Sequence, residues 1–203
     1  EINAAGGKAK AFICDVAKES DIEATVKGVT EAFGRLDILV NNVAISDNKH
    51  MLDITTEEWN RTIAITLTAP FLFGKHAAKA MIAAGNGGKI VNVSSTSGYY
   101  GRNRAVAYTA AKGGVVNLTR SMAIQLAPHK IRVNSVVPNK IGSPVGKEEF
   151  DPTRPVKNLV DRPGVPIDLA NAILFLVSDD SSFIVGSDLF VDGGCATLMP
   201  GNE

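Results

Sequence analysis

Short apolar runs alternate with longer segments whose apolar residues recur every three or four positions, and that alternation limits the chain to few folds. Five runs read as strands: "KAFICDV" (Lys10–Val16), "LDILVNNV" (Leu36–Val43), "KIVNVSS" (Lys89–Ser95), "IRVNSVV" (Ile131–Val137) and "SDLFVDGG" (Ser187–Gly194). Between them lie helical patterns. Asp21 to Phe33 carries Ile22, Val26, Val29 and Phe33 on one face and is closed by Gly34. A long helix is predicted from Thr55 or Thr56, with the acids of "TTEEW" in its first turn, to Ala84 before "GNGG". Pro70 lies inside that pattern and predicts a kink or a break. Two further helices are predicted, Arg104 to Ala127 before Pro128, and Asp168 to Ser178.

Strands alternating with helices imply parallel pairing, an α/β class and a doubly wound sheet. Near-continuous apolar strands fit a sheet covered on both faces. Ligands of such sheets bind beyond the carboxyl ends of the strands, and polar residues collect there: Asp15, Asn41, Asn42, Ser94 and Ser95, with Pro138 beside them. With 203 residues and 45% hydrophobic composition the chain reads as a single globular domain over residues 1–203. Its 21 basic and 21 acidic residues cancel, so nothing points to a nucleic-acid or anionic-membrane surface. The cysteines Cys14 and Cys195 stand at opposite ends with no metal or redox spacing and read as reduced cytoplasmic thiols. No apolar run is long enough to predict a membrane span.

The reactive candidates are few. In "YTAAK", Tyr108 and Lys112 share one face of a helix. A phenol titrates near pH 10, and an adjacent ammonium favours the phenolate, as a tyrosine acid/base requires. A plain surface pair is the alternative. Ser95 can hydrogen-bond a substrate oxygen beside the phenol, or simply build the turn "SSTS". Asn41 can face a cofactor or cap a turn. Asp15 can accept from an adenine amino group or cap the next helix. His50, His76 and His129 are scattered, without ligand spacing, so no metal site is expected. Nucleophile elbow and P-loop are both lacking. Trp59 and its apolar stripe read as core or as subunit contact.

Taken together, "DV" at Asp15–Val16, "LDILVNN" at Leu36–Asn42, "KIVNVSS", "YTAAK", "IRVNSVVP" at Ile131–Pro138 and "GSDLFVDGG" at Gly186–Gly194 resemble the short-chain dehydrogenase/reductase family, in its order and over nearly the whole chain. Ser95 precedes Tyr108 by 13 residues, the family's interval. The resemblance implies a Rossmann-like sheet and an enzyme interconverting a secondary alcohol and a ketone with NAD or NADP. It implies Tyr108 as acid/base, Lys112 as the group that lowers its pKa and holds the nicotinamide ribose, and Ser95 as the group orienting the substrate oxygen. Asp15, with Val16 beside it, would contact adenine, and Asn41 and Val43 would lie near the cofactor. Pro138 and Ile141 would frame the nicotinamide, and Ser143 stands where the family often has a threonine on the cofactor.

Departures accompany the resemblance. "NNVA" puts Val43 and Ala44 where the family has Ala-Gly. Thr66 replaces an Asn that helps hold a proton-relay water, which predicts a slower relay. Asn139 follows Pro138 in place of Gly. The family's glycine-rich pyrophosphate loop and first two strands are implied about 45–50 residues upstream of residue 1. The expected sheet is therefore N-terminally incomplete here, with Lys10–Val16 lacking a neighbour and Leu36–Val43 an uncovered edge. The charge that selects NAD or NADP lies in that upstream part. The helices around Trp59–Ala84 and Arg104–Ala127 imply a homo-oligomer, tetramer or dimer. The loop from Gly142 to Gly164 would cover the pocket of a small-molecule substrate. A non-catalytic oligomeric scaffold is the competing reading.

Overall fold

In the computed structural model, which describes residues 1–142 and 157–198, four strands form one sheet. They are β1 (Ile38–Asn41), β2 (Gly88–Val93), β3 (Ile131–Pro138) and β4 (Asp188–Val191), side by side in that order and parallel throughout. Parallel neighbours cannot be joined by a tight turn, so each connection crosses over through a helix. Helices α2 (Thr56–Ile63) and α3 (Ala69–Ala84) link β1 to β2, α4 (Val106–Leu126) links β2 to β3, and α5 (Pro166–Val177) links β3 to β4. Helix α1 (Glu19–Phe33) precedes β1 and packs on α3. It ends at Gly34, whose φ of 80° places it in the left-handed region where glycine alone is unstrained. This is the Rossmann-like α/β sheet that the sequence implies.

Alternate residues of the strands serve two cores. Ile90, Ile131 and Val133 meet Met81 of α3 and Met122 of α4 on one face. Val91, Val93 and Val136 meet Leu176 of α5 on the other. Leu176 is 1% exposed, and burial of such a side chain stabilises by about 2 kcal/mol.

A polar row crosses the first of these faces. Register pairs Asn41 with Asn92, Asn92 with Ser135, and Ser135 with Asp188. Asn41 Nδ2 donates to Asn92 Oδ1 at 2.8 Å and to the Pro70 carbonyl at 3.2 Å. Asn92 Nδ2 donates to Thr119 Oγ1 at 3.0 Å, and Thr119 donates to the Val115 carbonyl at 2.9 Å. Ser135 donates to Asp188, whose other oxygen accepts from Arg120. The row thus ties α3 and α4 to the sheet with directional bonds inside an apolar interface, where an unpaired polar group would be costly.

Two expectations are corrected. Lys10–Val16 is not a strand, because a strand exists through its ladder and no neighbour pairs with it; β1 pairs with β2 alone. The segment keeps a strand's alternation, with Cys14 and Val16 laid on Ile22, Ala69 and Leu72 while Ile13 is fully exposed. The free edge of β1 leaves Ile38 and Val40 partly exposed. The helix foreseen from Thr55 to Ala84 is divided. Thr55 caps α2 through a reciprocal box with Glu58, as its "TTEE" context suggests. The turn Ala64–Thr68 then widens to π geometry, with the Ala69 N–H bonded to the Ala64 carbonyl. Pro70 has no N–H to give the carbonyl four residues before it, and the wider turn absorbs that mismatch. The break therefore falls one turn before the proline.

Replacing Asn92 with Ala leaves Asn41 and Thr119 each short of a buried partner. The expected loss is about 1–3 kcal/mol in urea unfolding. A loss below about 0.5 kcal/mol would show that the row does not anchor the helices.

Candidate active site

A cavity of about 910 Å³ opens at the carboxyl end of the sheet, lined among others by Asn42, Ser95, Tyr108, Lys112, Pro138 and Ile141. Its floor is the end of β2 and its wall the first turns of α4. Tyr108 and Lys112 do share one face of α4, as their spacing requires.

Ser95 follows β2 in extended backbone, and its hydroxyl accepts from the Ser97 N–H at 3.1 Å. The same hydroxyl stands close enough to Tyr108 to act on its pKa, and both residues line the cavity. "SSTS" is a turn held by its own serine, and that turn leaves Ser95 on the cavity that Tyr108 also lines. Gly98 closes the turn against α4. A Cβ there would lie 2.7 Å from the Lys112 carbonyl oxygen, so only glycine permits this approach.

The N-terminus of α4 is held from outside. Ala105 precedes the helix with φ 70° and ψ 53°, a left-handed conformation that costs a non-glycine residue about 1 kcal/mol or more, and it offers no side-chain cap. The loop after β1 compensates. The Lys49 carbonyl accepts from the Ala105 N–H at 2.8 Å, and Asp47 Oδ1 accepts from the Tyr108 N–H at 3.1 Å. Thr66 anchors the other end of this loop: its hydroxyl donates to the Ile45 carbonyl and accepts from the Ile45 N–H, both at 3.1 Å. Thr66 is fully buried and does not line the cavity. With its one donor committed, the hydroxyl offers a relay water only a lone pair.

Lys112 is 3% exposed, and its ammonium donates to the Val93 carbonyl. Burial pushes its pKa from 10.5 down to about 8. Tyr108 moves the opposite way. Burial raises the phenol above its usual 10, while the nearby Ser95 hydroxyl and the Arg102 charge oppose that rise. This corrects the expectation that Lys112 draws the phenol down: its Nζ lies 5.7 Å from the ring centroid, against the face and not the hydroxyl. At neutral pH Tyr108 is a phenol, ready to give a proton.

The remaining candidates divide. Asn41 is turned into the sheet and does not line the cavity; Asn42 does. Strand parity could have separated them, since Leu39 and Asn41 share the core face. Asp15 Oδ1 accepts from the Ala17 N–H and its Oδ2 pairs with Lys18 at 3.4 Å, so it holds the turn before α1 and does not cap the helix, whose N-cap is Lys18. Val16 packs on the α1–α3 core, and Val43 is exposed beside the cavity-lining Ala44. Ser143 lies outside the described residues. Sequence reasoning missed Asp47, Arg102 and Cys195, the last two of which line the cavity. The first is a distant cap and the others stand on loops, where no periodicity marks them.

The sequence matches the family described as enoyl-(acyl carrier protein) reductase over residues 1–196. It is 40% identical over 199 residues to a cyclopentanol dehydrogenase of Comamonas sp. (strain NCIMB 9872), covering 96% of this chain and 79% of that protein. It is 42% identical over 196 residues to a cis-4-hydroxycyclohexanecarboxylate dehydrogenase of Sinomonas cyclohexanicum, covering 94% and 78%. Its structure superposes on that of a short-chain type dehydrogenase/reductase from Mycobacterium marinum with a TM-score of 0.88 at 34% identity, covering 97% and 79%.

The depressed pKa of Lys112 has a signed consequence. The folded state releases this proton near pH 8 and the unfolded chain near 10.5. Stability from this group is therefore absent below pH 8 and rises as the pH climbs from 8 to 10.5, by roughly 3 kcal/mol. In Lys112→Met that rise should vanish and stability at pH 7 should be no lower than in the parent. Parallel pH–stability curves for the two proteins would contradict a charged, buried Lys112.

Proposed function

The chain belongs to the short-chain dehydrogenase/reductase family, and on that premise we propose that it interconverts a secondary alcohol and a ketone with NAD or NADP, using Tyr108 as acid/base. One observation carries the reading: Ser95, Tyr108 and the buried Lys112 line one cavity at the carboxyl end of the sheet.

The dinucleotide fits this chemistry. Lys112 has three donors, and the Val93 carbonyl takes one, so the others can serve ribose hydroxyls. Pro138 and Ile141 would face the nicotinamide, and Asn42 and Ala44 stand on the same cavity wall. Asp15, Val16, Asn41, Val43 and Ser143 keep the cofactor roles that the resemblance implies only as a proposal. A bound nicotinamide accepts or gives the hydride at the carbinol carbon.

The protein's part is the proton. In reduction, the Tyr108 phenol gives its proton to the carbonyl oxygen, and Ser95 donates a hydrogen bond that orients that oxygen. In oxidation, Tyr108 removes the hydroxyl proton. Because burial holds the phenol protonated, oxidation should accelerate as pH rises, and reduction should be favoured at neutral pH. Lys112 steadies the ring face, and Thr66 keeps its part in a proton relay only through the lone pair that its hydroxyl can offer a water.

Trp59, Phe71 and Ile82 on α2 and α3, and Ile124 on α4, are exposed apolar residues, with Ile124 at 76%. They support a homo-oligomer, a tetramer or dimer, formed through these helices. Only monomer in sedimentation at micromolar concentration would refute this. The same reading places the protein in the cytoplasm, in keeping with the free thiols of Cys14 and Cys195.

Tyr108→Phe tests the assignment. Turnover of cyclopentanol with NAD⁺ or NADP⁺ should fall by roughly 100- to 10,000-fold, with cofactor affinity little changed. Undiminished turnover would remove Tyr108 from the mechanism.

A further inference from the structure

Charge is uneven around the cavity. Arg102, Lys112 and Lys140 line it, and among the described residues no Asp or Glu does. The chain as a whole balances 21 basic against 21 acidic residues, so the imbalance is local. Lys112 is buried against the Val93 carbonyl, as described. Arg102 is different. It stands on the exposed loop between the Ser95 turn and α4, with its guanidinium carbon 5.9 Å from the Tyr108 ring centroid. Arg35, Arg120 and Arg162 each pair with a carboxylate, namely Asp37, Asp188 and Asp168. Among the described residues, Arg102 pairs with none, as is true of Arg61, Arg104 and Arg132, but of these four only Arg102 lines the cavity.

A guanidinium presents five donors in a planar fork that matches a carboxylate. Stacking on an aromatic ring holds that fork in place and leaves its edge available. Tyr108 supplies the ring, and its hydroxyl marks where the carbinol must lie. We propose that Arg102 receives the carboxylate of a hydroxy-acid substrate whose carbinol is held by Ser95 and Tyr108. The proposal rests on the alcohol–ketone reading above and narrows it from alcohols in general to anionic ones. The two relatives named earlier bracket the choice, one named for a neutral alcohol and the other for an alcohol bearing a carboxylate.

Arg102 also acts on Tyr108 through its charge, so its removal will disturb every substrate. A ratio cancels that shared effect. The measurement is kcat/KM for cis-4-hydroxycyclohexanecarboxylate divided by kcat/KM for cyclopentanol, in the parent protein, Arg102→Ala and Arg102→Lys. The ratio should fall about tenfold or more in Arg102→Ala and recover in part in Arg102→Lys, which keeps the charge but not the fork. A second readout needs no turnover. Cyclohexanecarboxylate should bind the parent protein more tightly than cyclohexanol in calorimetry, and that preference should disappear in Arg102→Ala. An unchanged kinetic ratio, or equal binding of the acid and the neutral alcohol by the parent, overturns the proposal. If neither alcohol is oxidised while the acid still binds through Arg102, the anion site stands and the alcohol–ketone reading fails.

Discussion

The polar row Asn41–Asn92–Ser135–Asp188 is the constraint on which the rest of the structure depends. An apolar interface between a helix and a sheet is nearly indifferent to small slides, because dispersion is non-directional. Hydrogen bonds are not indifferent. Thr119 and Arg120 lock α4 to Asn92 and Asp188, two to three turns along the helix from Tyr108 and Lys112. A slide of one turn would take Thr119 from the Asn92 amide and Arg120 from the Asp188 carboxylate. The position of the phenol and the ammonium above β2 is thus decided some distance away, inside the sheet.

The site end of α4 is built differently. There the chain accepts cost: a left-handed Ala105, a buried ammonium without a carboxylate, and a glycine at 98 pressed on the helix backbone. Each is unfavourable alone, and each is held by a specific neighbour, such as the Lys49 carbonyl, the Val93 carbonyl or Asp47. Local rules are broken here where a reactive geometry is required. The burial that raises Tyr108 and lowers Lys112 follows from the same design, since both groups lie beneath the loop after β1 and the Ser95 turn. A protonated phenol beside a serine hydroxyl is the form that donates to a carbonyl.

Much of this was legible in the chain itself. Helix and strand periods gave α1, α4, α5 and the four paired strands, because buried faces enforce them. Tyr108, Lys112 and Ser95 were legible because their spacing along one helix and one turn is local. Other features were not. Lys10–Val16 has a strand's pattern without a ladder, and pairing is a property of neighbours, not of a segment. The π turn at Ala64–Thr68 depends on how α2 and α3 meet, although Pro70 announced some break. Asn41 and Asn42 could be told apart only by strand parity. Asp47 caps a helix that begins 59 residues later, at Val106, a contact with no sequence signature at all. Arg102 is an ordinary loop arginine until the cavity shows what surrounds it.

The most direct test of the account follows one hydrogen atom. The protein would be given NAD⁺ or NADP⁺ and an alcohol deuterated at the carbinol carbon, either cyclopentanol or cis-4-hydroxycyclohexanecarboxylate, and the reduced nicotinamide analysed by mass spectrometry. The account predicts one deuterium in the nicotinamide for each ketone formed, because Tyr108 takes only the hydroxyl proton and the carbon-bound hydrogen passes directly. Reduced nicotinamide without deuterium, or ketone formed without reduced nicotinamide, would contradict it.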